Sequence, residues 1–338
     1  MHVCILGAGG LGCVIAARLA EAGTQVSLIA RAAHVAAIND RGLRVTGISG
    51  TRTVRDNLAA FLDASDVPGD IDWLAVVVKT RDTATALHGA SSLRDRVSAA
   101  FSLQNSTTKD GELAAWLGDT RVIGASTTEA GVLTGDGEVR HTATAPIAFY
   151  FGERDGTPSS RVALLATTFS HANLAARETD VIEQVEWEKL LQISAVAGFC
   201  ASTIGFLPGV TFGQGIARRS GAEHYVQLVT ELLAVYRALG YEPRDFFAPF
   251  ATFRRAASLD FAHAVDDALA LGADMVARGI GGRPSLHEDL LRAKPTEVDD
   301  CLGAYLRAAD RLGVDVPTVR AAYRVIGTLE SLTKEFAR

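Results

Sequence analysis

Cysteine is scarce in this 338-residue chain. Cys4, Cys13, Cys200 and Cys301 lie far apart, with no C-x-x-C pair and no histidines at metal-ligand spacing. A disulfide-stapled secreted domain is therefore excluded. The thiols are expected to be reduced and mostly packed in a cytosolic protein, and no metal is expected. Basic residues are not in excess either: 33 Lys and Arg stand against 39 Asp and Glu, a net charge of −6. With no surplus cation to neutralise phosphates, nucleic acid is not an expected partner. Long apolar runs are rare. Leu190–Val210 stays uncharged over roughly the 20 residues a bilayer span needs. Gln192, Ser194, Ser202, Thr203 and Pro208 interrupt it, so it reads as a buried helix running into a loop, and no membrane partner is expected. His2–Leu6 runs straight into glycines, which argues against a cleavable leader.

Hydrophobic residues make up 48% of the chain and charged ones 21%, enough for buried cores and too little charge for disorder. The length suggests two domains, expected at 1–170 and 171–338. In the first, apolar runs at Val3–Leu6, Gln25–Ile29, Ile71–Val78, Val97–Leu103 and Val122–Thr127 alternate with helical stretches at Leu11–Ala22 and Val35–Arg41. Strands apolar on both faces and separated by helices predict a mostly parallel sheet covered on both sides, an α/β Rossmann-type domain. Leu43–Val45 reads as a further short strand, and Gly131–Tyr150 as antiparallel strands closing the sheet. After about Ser160 nearly every segment has helical spacing: Arg161–His171, Val181–Ile204, Ala217–Leu239, Leu286–Arg292, Val298–Leu312 and Thr318–Phe336. The second domain is expected to be all-α.

Gly7-Ala8-Gly9-Gly10-Leu11-Gly12 fits G-x-G-x-x-G and sits where that pattern carries meaning, between a strand and a helix with a second strand following. There Gly7 permits the tight turn, Gly9 lets a pyrophosphate approach, and Gly12 lets helix and strand pack. Helix N–H groups then face the phosphates. A glycine-rich packing turn is the structural alternative. The second strand ends at Ile29-Ala30-Arg31, with His34 close behind and no carboxylate before Asp40. A guanidinium suits a 2′-phosphate better than a ribose hydroxyl, so Arg31 points to NADP(H) unless it is a solvated surface arginine.

Lys79 and Asn105 follow apolar strands, at the sheet edge where ligands of open α/β folds sit, although either could cap a helix instead. Lys189 lies where Val185-Glu186-Trp187-Glu188-Lys189-Leu190-Leu191 turns from charged to apolar. Partial desolvation there would lower its pKa and make it a proton donor, as ketone reduction requires. A snorkelling lysine at a helix start is the plainer reading.

Together these segments resemble the ketopantoate reductase family over nearly the whole chain. The resemblance rests on GAGGLG at 7–12, Arg31, VKT at 78–80, LQN at 103–105, WEKL at 187–190 and PSLHEDLLRAKPTEVDD at 284–300. It implies a helical second domain of the 6-phosphogluconate dehydrogenase C-terminal type and NADPH-dependent reduction of a small-molecule 2-oxo acid. By position it implies Lys189 as general acid and Glu297 as a carboxylate at the nicotinamide end. Lys79 and Asn105 would bridge cofactor and substrate, the Ala130 backbone would touch the nicotinamide, and Ser285 would help hold the substrate carboxylate. By residue type alone, Thr296-Glu297 reads as a helix start. A homodimer is left open.

The chain also departs from the family pattern. Asparagines usual four and eight residues after the lysine are Ile193 and Ala197, and no asparagine occurs after Asn173. Ser106, Glu288 and Leu302 replace a glycine, a glutamine and an asparagine. Losing such hydrogen bonds is enough to change substrate preference. The alternatives to 2-dehydropantoate are thus a less polar 2-oxo acid or an imine, and a non-catalytic NADP(H) sensor.

Overall fold

His2–Leu6 (β1) is buried along its whole length, and its residues alternate between two apolar clusters. Val3 and Ile5 join one, Cys4 and Leu6 the other, as expected when both faces of a sheet are covered. The chain continues through α1 (Gly10–Glu21), β2 (Gln25–Ile29), α2 (Ala32–Arg41), β3 (Leu43–Gly47), β4 (Arg52–Val54), β5 (Leu58–Phe61) and β6 (Ile71–Val76). Next come α3 (Thr83–Gly89), β7 (Val97–Ser102), α4 (Lys109–Leu117), β8 (Val122–Thr127), β9 (Ala130–Gly135) and β10 (Glu138–Ala143). β11 (Phe149–Gly152), α5 (Ser160–His171), β12 (Ala176–Glu178) and α6 (Ile182–Thr203) follow.

This computed structural model describes residues 1–336; 337 and 338 lie outside the described residues. Eight strands form one sheet in the order β12-β11-β8-β7-β6-β1-β2-β5. The six from β8 to β5 are mutually parallel, and β11 joins antiparallel to β8. Its Phe149 and Phe151 meet Phe101 of β7 and Phe169 of α5, with mostly edge-to-face contacts and centroids 4.9–6.2 Å apart. The segment after β8 does not close the sheet as one unit. Its first two strands, β9 and β10, build a separate four-stranded sheet with β3 and β4, in the order β4-β3-β10-β9. Only β11 reaches the main sheet. The reason is packing on α1: Gly10 and Gly131 approach so closely that a Cβ on Gly10 would overlap the Gly131 carbonyl.

The chain divides into two compact units, Met1–Glu186 and Trp187–Arg338. β12, which follows residue 170, pairs with β11 in the first unit. The second unit contains α7 (Phe212–Ile216), α8 (Arg219–Ala238), α9 (Phe253–Ala256) and α10 (Phe261–Ala277). It ends with α11 (Ser285–Leu291), α12 (Leu302–Leu312) and α13 (Pro317–Phe336). Its core joins Trp187, Leu190 and Leu191 of α6 to Leu228 and Tyr236 of α8 and to Leu302 and Tyr305 of α12. Buried Glu231 of α8 accepts from the Thr318 and Val319 N–H groups at 2.8 and 2.9 Å, placing a carboxylate at the positive end of α13. The stretch 241–283 contains α9 and α10, whose helical character the sequence reading did not assign. α10 packs on α7 through Gly272 and Gly213, where side chains would collide with the Ala217 amide and Met275. Among the described residues no helix is long and apolar enough to cross a membrane, and no group of three acidic, histidine or cysteine side chains is placed to hold a metal ion.

Candidate active site

The main sheet reverses its strand order at β1, with β2 on one side and β6 on the other, so a crevice forms at the carboxyl ends of β1 and β6. The glycine loop lies there. Gly7 has φ +123°, and a Cβ on it would press on the Val77 and Val78 backbone at 2.8 Å. Gly12 packs against the Gly7 carbonyl with no room for a side chain. Gly9, by contrast, faces open space. It caps α1 without any side-chain hydrogen bond, and the first turn holds no acid. Among the described residues no side chain accepts from the N–H groups at Ala8, Gly10 and Leu11 that lead into α1, which fits a phosphate.

Arg31 is exposed at the N-cap of α2, whose first turn also lacks an acid. His34 does not share that surface. It is buried, its Nδ1 accepts from the Gly137 N–H at 2.9 Å, and its Nε2 lies 3.3 Å from Cys13 Sγ. Burial lowers its pKa, opposed in part by Asp136. It therefore ties α2 and α1 to the β9–β10 turn. Ala130 opens β9 beside Gly131 and so lies near the glycine loop. Glu129 before it is buried, with Oε1 2.7 Å from His141 Nε2.

β6 ends at Val76, two residues earlier than expected, and Lys79 caps a short 3-10 turn, Thr80–Asp82. Asn105 follows β7 at the same edge. The Val77 N–H donates to the Leu6 carbonyl and the Leu103 N–H to the Val76 carbonyl, so both loops are held beside Gly7. Gln104 locks them together. Buried, it donates from Nε2 to the Val78 carbonyl at 2.9 Å and to Thr83 Oγ1 at 2.7 Å. Asn105 is half-buried and makes no side-chain hydrogen bond among the described residues. Just beyond it, Lys109 is buried between Asp110 at 2.7 Å and Glu186 at 2.5 Å. Burial outweighs this pairing for Glu186 and pushes its pKa up to about 8.

In the second unit Lys189 is half-buried on α6. Its Nζ donates to Gln192 Oε1 at 3.3 Å and stands 5.5 Å from the centroid of the Phe247 ring. Loss of water around the ammonium lowers its pKa to about 8, slightly opposed by the Cys301 thiol. Cys301 ends a turn whose N–H groups at Asp300 and Cys301 donate to the Glu297 carbonyl, and Glu297 is buried. Helix α12 starts only at Leu302, so Glu297 precedes the helix by a full turn and does not open it. Thr296 is bound to Glu330 of α13 through its N–H at 3.1 Å and Oγ1 at 2.5 Å. Lys189 and the Glu297–Cys301 turn are thus neighbours. Ser285 is the exposed first residue of α11, which is anchored by buried Leu286 and Leu290. Glu288 is occupied by Arg283 at 2.5 Å and Arg292 at 3.2 Å, which hold its pKa down against the effect of burial.

Residues 3–156 match the family described as ketopantoate reductase PanE/ApbA, and residues 181–330 match its C-terminal family. The chain belongs to the ketopantoate reductase family. A 2-dehydropantoate 2-reductase of Archaeoglobus fulgidus is 28% identical to it over 330 residues, covering 98% of each chain. A PanE/ApbA family ketopantoate reductase from Ralstonia eutropha JMP134 is 27% identical in its crystal structure, with TM-score 0.78, covering 99% of this chain and 100% of that one. The complex of D-mandelate dehydrogenase with NADH shares the fold, with TM-score 0.78 at 19% identity over 99% and 100% of the two chains. Within this ketopantoate reductase family chain, sequence reasoning missed Gln104, Lys109, Glu188 and Phe247. Phe247 belongs to a segment with no motif, and the partners of Glu188 and Phe247 lie far away in sequence.

Proposed function

We propose that this chain reduces a 2-oxo acid to the 2-hydroxy acid with NADPH, 2-dehydropantoate to pantoate being the default reaction. One observation carries the reading: the half-buried Lys189 ammonium, lowered to about 8, beside the turn that holds Glu297. The cradle of Gly7–Gly12 suits the pyrophosphate, and Arg31 suits the 2′-phosphate. Lys79, Asn105 and the Ala130 backbone would hold the nicotinamide end, with Ser285 on the substrate carboxylate. When bound, the nicotinamide supplies a hydride to the carbonyl carbon. Negative charge then builds on the carbonyl oxygen, and Lys189 gives it the proton, leaving a neutral amine. Glu297 helps organise the site. A lysine of pKa about 8 remains protonated at neutrality yet parts with its proton far more readily than one at 10.5.

A second reading, a less polar 2-oxo acid, is supported by the apolar stripe after Lys189. Ile193 is half-buried, Ala197 and Leu302 are fully buried, and the Leu302 methyls pack against Gly198. D-mandelate dehydrogenase, whose ternary complex contains NADH and anilino(oxo)acetate, is a fold neighbour that fits such a shift. Initial rates with NADPH or NADH and a panel of 2-oxo acids separate the two. In either case Lys189→Ala is expected to lower turnover by about 10²–10⁴-fold with NADPH affinity nearly unchanged. Turnover within tenfold of the parent enzyme would remove Lys189 from the chemistry.

A further inference from the structure

The segment after α8 is held in place by a carboxylate that adjoins Lys189. Glu188 is buried, and all its bonds go to this segment and to α8. Its Oε2 accepts from the Arg244 N–H at 2.8 Å and the Tyr236 hydroxyl at 3.2 Å, and its Oε1 accepts from the Phe246 N–H at 2.9 Å. Three donors hold it. The next residue along, Phe247, is 1% exposed and turns its ring toward the Lys189 ammonium. Gln192 strengthens the arrangement, accepting from Lys189 and donating to the Phe250 carbonyl at 3.5 Å.

The surroundings of the ammonium are otherwise poor in countercharge. The Cys301 thiol faces it from the turn before α12, which also carries Glu297. Tyr305 of α12 gives its hydroxyl to the Trp187 carbonyl, and Tyr236 of α8 gives its hydroxyl to Glu188. Asp245 accepts from the Arg254 N–H. A cation so placed depends on the Gln192 oxygen and on the negative face of an aromatic ring, an attraction that is strongest where water is excluded.

We propose that Phe247 is a positioning residue whose ring, clamped by Glu188 through the Arg244–Phe246 backbone, sets how tightly Lys189 holds its proton. It thereby sets the pH range over which this lysine serves as an acid. The second statement rests on the reductase reading; the first does not. Leucine at 247 keeps the apolar bulk and removes the ring, whereas tryptophan keeps an aromatic face.

The test is the pH dependence of Lys189 acetylation by acetic anhydride in the ligand-free full chain, followed by mass spectrometry of the peptide that carries it. Phe247→Leu is expected to lower the midpoint by about one pH unit, and Phe247→Trp to hold it within a few tenths. An unchanged or raised midpoint in Phe247→Leu overturns the proposal, because a ring that merely shields the amine from water would give that result. If Phe247→Leu does not fold, pentafluorophenylalanine at 247 is nearly the same shape with reversed ring polarity, and the same fall is expected. The alkaline limb of the turnover–pH profile should move by the same amount. A shifted labelling midpoint with an unmoved limb overturns the lysine's role in reduction and leaves its link to Phe247 standing.

Discussion

Replacing Lys189 with methionine is expected to make the protein more stable at pH 7 while removing the proposed acid. Methionine is unbranched, apolar and flexible enough to fill the same space. A fall in the lysine pKa from 10.5 to about 8 corresponds to about 3 kcal/mol, at about 1.4 kcal/mol per pH unit. That is the net cost of holding the half-buried ammonium in the folded chain. Because proton affinity is lower in the folded state, the cost is complete below pH 8. It fades as pH rises through 8 toward 10.5, where the unfolded chain also loses the proton. Urea denaturation should therefore show Lys189→Met stabilised by about 3 kcal/mol at pH 7 and by less than half of that at pH 9.5. A destabilised variant at pH 7, or a gain equal at both pH values, would refute the claim that the site strains a cation for use as an acid.

Arg31→Ala should weaken NADPH binding by about 1.5–3 kcal/mol and NADH binding little, by loss of a charge-assisted phosphate contact. Equal losses in fluorescence titrations with the two dinucleotides would remove the 2′-phosphate assignment. Lys109→Met strands Asp110 and Glu186 together in the interior and should cost about 3–5 kcal/mol in chemical denaturation. A companion Glu186→Gln should recover much of that, and a loss below about 1 kcal/mol for the single variant would mean that the cluster is hydrated.

Much of the first unit is legible from its residues. The strand–glycine–helix–strand order fixes β1, α1 and β2 locally, because apolar runs and glycines act over a few positions. The switch of period after Ser160 similarly announces the helical half. α10 escaped notice although its fit on α7 is specific, depending on two glycines, Gly213 and Gly272, in separate helices. The second sheet escaped because β3 pairs with β10 some ninety residues later, and no local pattern encodes a parallel pairing at that distance.

The sequence by itself determined the family, the glycine loop and the cation at 189, since each motif is carried by residues close together along the chain. Tertiary structure alone decided what surrounds that cation. Burial, the ring of Phe247 and the diversion of Glu188 to the Arg244 and Phe246 amides come from chain segments more than fifty residues away. Proton affinity depends on the dielectric and the charges within a few ångströms, and those neighbours exist only once the chain has folded.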